Sequence, residues 1–197
     1  MTRLLFGLLI IGNFLVAVQT TSVSAQPTNN VLRFRGTDGS GSSANVDIPT
    51  KWSAQSNLKW KAAIPGAGSS TPIVVGDRVY VTCYSGYGTD LNSTGNSKSL
   101  ARHLIALDLN TGKKIWTASV ANTSTEDQFQ GFLTEHGYAT STPTSDGENI
   151  YAFFGKSGVF AFDKQGNQLW KTSVGTESGS RHWGSSASLV GYKNLII

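Results

Sequence analysis

Four residues with side chains able to bind or transfer protons recur in two matching contexts: Glu135-His136-Gly137-Tyr138 and Arg181-His182-Trp183-Gly184. An imidazole beside an aromatic ring can ligate a metal or hold a polar ligand. Such recurrence is also what structural repetition leaves behind. His136, Tyr138, His182 and Trp183 are therefore the candidate binding residues. Asp90-x-Asn92-x-Thr94-Gly95 opens like a calcium loop, but Ala101 stands where the closing bidentate Glu is required, so the stretch reads as an inserted loop. His103 has no recurring partner. Gly36-x-x-Gly39-x-Gly41 lacks the strand-to-helix context of a dinucleotide site. No Gly-x-Ser-x-Gly elbow, HExxH motif or Ser/His/Asp grouping stands out, so hydrolytic chemistry has no support.

The elements that must carry these residues are short strands. Gly accounts for 22 of 197 residues and charged side chains for 14%, while Val, Ile, Thr and aromatics crowd into brief runs between turn formers. The runs repeat. Ser69–Val81, Thr140–Ala152 and Ser185–Ile197 share one frame, with Pro72, Pro143 and Ser188 taken as equivalent. Each reads as a hairpin, turning at Gly76-Asp77 and Asp146-Gly147 in the first two. A second hairpin follows, from His103–Asp108 into Lys114–Trp116 and from Gly158–Asp163 into Gln168–Trp170. The 45-residue step from Pro143 to Ser188 fits a four-stranded propeller blade of about 40–45 residues.

The unit ends in Ala106-x-Asp108-x-x-Thr111-Gly112-x-x-x-Trp116, repeated one residue shorter as Ala161-x-Asp163-x-x-Gly166-x-x-x-Trp170. An indole can wedge between sheets while donating to a carbonyl, and small Ala and Gly leave it room. The pattern resembles the docking motif of pyrroloquinoline-quinone (PQQ)-type propeller repeats, in which Ala, Gly and Trp of neighbouring blades lock together. Phe34-Arg35-Gly36, Ile48-Pro49-Thr50-x-Trp52 and Trp60-Lys61-x-x-Ile64-Pro65-Gly66 extend the likeness over nearly all of the chain beyond its leader. The resemblance implies an all-β propeller of four-stranded antiparallel blades, seven or eight when complete, present here as a truncated fragment. Trp60, Ala106, Gly112, Trp116, Ala161, Gly166 and Trp170 are its expected docking residues.

The expected organisation is a signal peptide at 1–25, an N-terminal segment at 26–56 and a partial propeller at 57–197. Within the propeller, 57–62 is a ring-closing strand, 69–118 the first blade with an inserted, mobile loop at 85–100, 119–137 a loop, 138–172 the second blade and 184–197 the start of a third. Arg3, the apolar run to Val18 and the small residues Val23 and Ala25 make an export signal cleaved near Ala25. The run is too short for a bilayer span, and the lone Cys83 cannot serve a lipid anchor at that site or an internal disulfide. The chain is thus expected to be exported, periplasmic or secreted. Its net charge of +4 is unclustered, which argues against a nucleic-acid partner.

Members of the resembled family include quinoprotein dehydrogenases and non-catalytic propellers, among them a scaffold subunit of the outer-membrane protein insertion machinery. The dehydrogenases imply PQQ with calcium and a pair of adjacent cysteines, and Cys83 is alone. The expectation is a binding or scaffold module for a protein or small ligand, without a cofactor. The alternative is a PQQ-dependent dehydrogenase of alcohols or sugars whose catalytic residues lie beyond Ile197.

Overall fold

The computed structural model describes residues 30–42, 48–123 and 125–197. The export signal and its cleavage site at Ala25 lie outside the described residues. Among the described residues, ten strands form two four-stranded antiparallel meanders and a hairpin. The first meander runs β1 (Ile73–Val75), β2 (Arg78–Ser85), β3 (Ala101–Asp108), β4 (Lys114–Ala121); the second runs β5 (Thr144–Ser145), β6 (Ile150–Phe153), β7 (Val159–Phe162), β8 (Gln168–Thr172). The hairpin is β9 (Gly191–Tyr192) with β10 (Leu195–Ile196). These are propeller blades, each a meander whose first strand is innermost.

Alternation along the strands sends successive side chains to opposite faces of a blade, and in the first blade both faces are buried. Ile73, Val75, Tyr80, Leu104 and Ala106 pack with Ile150, Ala152, Phe154, Phe160 and Phe162 of the second blade. Val79, Cys83, Ile105 and Leu107 turn the other way and are covered by Trp60, Ala62 and Ile64. Each fully buried Leu, Ile or Phe contributes about 1.5–3 kcal/mol, so this sandwich is the main stabilising element. The second blade's other face, with Tyr151, Val159 and Ala161, is met by Leu189, just ahead of the hairpin, and by Ile196 within it.

The motif residues take corresponding positions in both blades. Ala106 pairs with Trp116 and Ala161 with Trp170, each just before a bulge in the ladder. Trp116 lies over Gly166 of the second blade and donates from Nε1 to the Lys164 carbonyl at 2.9 Å. Trp60 lies over Gly112 of the first blade and donates to the Leu109 carbonyl at 2.9 Å. Both glycines have positive φ, 69° and 88°. A Cβ would stand 2.5 Å from Trp60 Cε3 at Gly112 and 2.7 Å from Trp116 Cδ2 at Gly166. The aspartate of each motif holds the turn: Asp108 Oδ1 accepts from Thr111 N at 2.7 Å, Asp163 Oδ1 from Gln165 N at 2.9 Å. Trp170 stacks near Tyr151 but is 41% exposed, with no glycine turn over it among the described residues.

Four sequence expectations need correction. The second hairpin does not turn tightly at Asp146-Gly147: Ser145 pairs with Ile150, leaving a four-residue loop in which Asp146 Oδ1 accepts from Glu148 N and Asn149 N. The third copy is offset by one residue. Thr71 N donates to Thr142 Oγ1, and Thr142 N in turn to Ser188 Oγ, both at 3.0 Å. Thr71, Thr142 and Ser188 are thus equivalent, at separations of 71 and 46 residues, and the third turn is Lys193-Asn194 between Tyr192 and Leu195. The inserted stretch 85–100 is anchored. Tyr87 bridges to Gly95, Tyr84 Oη donates to the Gly88 carbonyl at 2.7 Å, and the Tyr87 ring packs on Phe129 and Tyr138. Residues 57–62 form no strand ladder among the described residues.

Candidate functional site

The candidate residues gather where the loops ahead of the second blade and of the third copy meet. Strand β3 places Arg102 at this junction, and its side chain is 2% exposed. Its Nη2 lies 2.9 Å from Glu126 Oε1, Nε donates to the Tyr138 carbonyl at 3.0 Å, and Nη1 donates to Ser157 Oγ at 3.2 Å. One buried guanidinium thus ties the first blade to the loop at Glu126 and to two points of the second blade. Its fork geometry suits this, since five rigid donors can serve several acceptors at once.

Next to it, Asp127 is the hub. Its Oδ1 accepts from Lys156 Nζ at 3.3 Å and from Ser178 Oγ, and lies 3.0 Å from His182 Nδ1. Its backbone carbonyl accepts from Tyr138 Oη at 2.7 Å. Burial pushes the Asp127 carboxyl up, but the hydrogen bonds from Ser178, His182 and Lys156 outweigh it and hold the group below the usual carboxylate range. Asp127 is therefore an ionised clamp whose Oδ1 gathers three donors. A cavity of about 40 Å³ between Arg102, Asp127 and Lys156 has room for only a few waters.

All four sequence candidates are in or beside this cluster, in different states. His136 sits at the end of a single helical turn, α1 (Leu133–His136), with Nδ1 2.8 Å from Thr140 Oγ1 and Nε2 2.9 Å from the Trp183 carbonyl. Both of its nitrogens are occupied. Tyr138 is buried among Tyr84, Tyr87 and Phe129, and burial, with Tyr87 beside it, raises its hydroxyl pKa far above the ordinary value. His182 is exposed and bonded to Asp127. Trp183 is 45% exposed, its ring 4.7 Å from Phe132 and capped by the Arg181 guanidinium at 4.8 Å. The two recurring segments therefore touch each other, and beside them Phe132, Trp183 and Arg181 form an exposed aromatic and cationic face.

Arg102, Glu126, Asp127 and Lys156 were not among the sequence candidates. The signal was a charged residue inside the apolar run Ala101–Leu107 of a chain with little charge. His103, on the opposite face of β3, bridges strands: its Nε2 is 2.8 Å from Ser85 Oγ and its Nδ1 2.9 Å from Ser119 Oγ. Cys83, its cross-strand neighbour, is fully buried, and burial pushes its thiol up to about 11. Among the described residues no three of His, Cys, Asp and Glu converge on a point. Asp90 Oδ1 instead accepts from Asn92 N at 2.8 Å within its own turn.

No helix among the described residues is long and apolar enough to cross a membrane. No curated protein matches the chain. Among solved structures, the crystal structure of BamB from Moraxella catarrhalis is similar over 70% of this chain and 36% of its own, at 16% identity and a TM-score of 0.42. The chain thus spans about a third of that protein's length. A family model described as outer membrane protein assembly factor BamB matches residues 50–196, the stretch that holds both blades, the third hairpin and the rim cluster. The chain belongs to this family of PQQ-type β-propellers.

Proposed function

We propose that the protein is an exported, periplasmic binding module that serves as a non-catalytic scaffold in outer-membrane protein assembly, engaging a protein partner through the blade rim. The observation that carries this is the exposed Phe132–Trp183 pair with Arg181 stacked on it, its Trp183 side held in place by the His182–Asp127 contact. Aromatic and Arg side chains dominate binding hot spots because they bury much area at little entropic cost. Here the ordering has already been done by the clamp, which favours tight complexes. The description of the matched family supplies the process.

A photo-crosslinking residue at Phe132, introduced into the full chain in cells that export it, tests the reading. Adducts with a subunit of the outer-membrane assembly machinery are expected, and they should disappear on Trp183→Ala combined with Arg181→Ala. Adducts that persist unchanged in that double variant would sink the rim assignment. The rival quinone chemistry is tested by adding PQQ and Ca²⁺ and following dye-linked alcohol oxidation; turnover would replace the scaffold reading with the dehydrogenase one.

A further inference from the structure

The innermost strands β1 and β5 each have a neighbour on one side only, β2 and β6. Their other edges face the propeller axis, where backbone groups lack ladder partners. Residues 30–32 lie between these two edges. Val31 N donates to the Val74 carbonyl and Val74 N to the Val31 carbonyl, both at 2.9 Å. One residue on, the Leu32 carbonyl accepts from Ser145 N at 2.9 Å and from Thr144 Oγ1 at 3.1 Å. Successive residues of an extended chain point their backbone groups in opposite directions, so Val31 serves the first blade and Leu32 the second.

Two side chains add selectivity to this backbone pairing. Asn30 Oδ1 accepts from Gly76 N at 2.9 Å, the amide of the β1–β2 turn. Leu32 packs against the cluster formed by the facing sides of the two blades. Thr37 Oγ1 donates to the Asn30 carbonyl at 2.8 Å, closing the segment on itself, and Arg33 and Phe34 then line the axial cavity with Thr71 and Thr142. This is strand addition carried out within one chain.

We propose that the cleft between the inner edges of β1 and β5 is an acceptor site for an extended peptide, occupied in this chain by its own Asn30–Leu32. The required ligand chemistry is an Asx side chain followed two residues later by a branched apolar one, with an unobstructed backbone between. The site is separate from the rim and stands whether or not the rim binds a partner.

Amide hydrogen exchange on the full chain tests it. Val74, Gly76 and Ser145 should be protected in the wild type. Leu32→Asp should speed their exchange at least ten-fold while Leu104 and Phe160, inside the sheets, stay unchanged. Adding the peptide Asn-Val-Leu-Arg-Phe-Arg should restore protection, and the same peptide with Asp in place of Leu should not. Val31→Pro, which removes one donor and leaves the apolar contact, gives the same comparison if Leu32→Asp impairs folding. Wild-type exchange as fast as that of an open loop, or failure of the peptide to restore protection in either variant, overturns the proposal.

Discussion

The glycines under the indoles are the residues where backbone and packing constraints coincide. Gly166 combines a positive φ of 88° with a Trp116 ring that a Cβ would approach to 2.7 Å. A side chain there incurs both left-handed strain and overpacking, together about 2–5 kcal/mol. Gly166→Ala should lower the urea midpoint accordingly. Gly112→Ala should cost less, although its nominal approach to Trp60 is closer, because Trp60 sits on a segment without strand pairing and can shift. Equal losses in the two variants would contradict this. His103 gives the chain an acid sensitivity of its own. Burial holds its pKa below the ordinary 6.5, so as pH falls the unfolded chain takes up the proton first. Its contribution is complete above about pH 6.5 and is lost progressively below that. His103→Gln should flatten stability between pH 7 and 5 in denaturant titrations. The lowered Asp127 carboxyl acts in a more acidic window, contributing above about pH 4 and losing its contribution as pH falls through its depressed value.

At the scale of elements, blade-to-blade coupling runs through apolar faces and through one buried charge. Arg102 reaches from β3 to Glu126, Tyr138 and Ser157, and removing it strands Glu126 without a counter-ion. Arg102→Ala should cost about 3–5 kcal/mol. Arg102→Lys should recover only part of this, because a single ammonium cannot reproduce the fork; full recovery would show that charge alone matters. The strands and the motif turns were legible in the sequence because both are short-range. A run of β-branched and aromatic residues marks Val79–Tyr84, and Ala106, Gly112 and Trp116 lie within a few residues of one another. The frame of the third copy was not, because Ser185-Ser186-Ala187-Ser188 is a run of small residues in which a one-residue slip leaves the pattern unchanged. The rim was half legible. His136 and His182 stood out by recurrence, but Asp127 draws its partners from positions 29, 51 and 55 residues away in loops with no period. The Leu32–Thr144 contact spans 112 residues, and no local pattern announces it.

At the scale of the whole molecule, each blade offers a tryptophan forward and receives one from behind. Trp60 and Trp116 are seated on Gly112 and Gly166, while Trp170 remains 41% exposed. Such a contact is heterologous: its two halves are different surfaces, so it can be repeated from blade to blade around a ring. Trp60 fills the Gly112 turn from a segment that forms no strand ladder, so this face of the first blade is closed by packing and one hydrogen bond at 2.9 Å rather than by strand pairing. Trp60→Ala should therefore lower the urea midpoint, and Trp60→Phe, which keeps a ring but loses the donor, should recover part of the loss; no loss in Trp60→Ala would show that Ala62 and Ile64 cover the face without it. Seen this way, Trp60 is a plug set into a turn shaped to receive it.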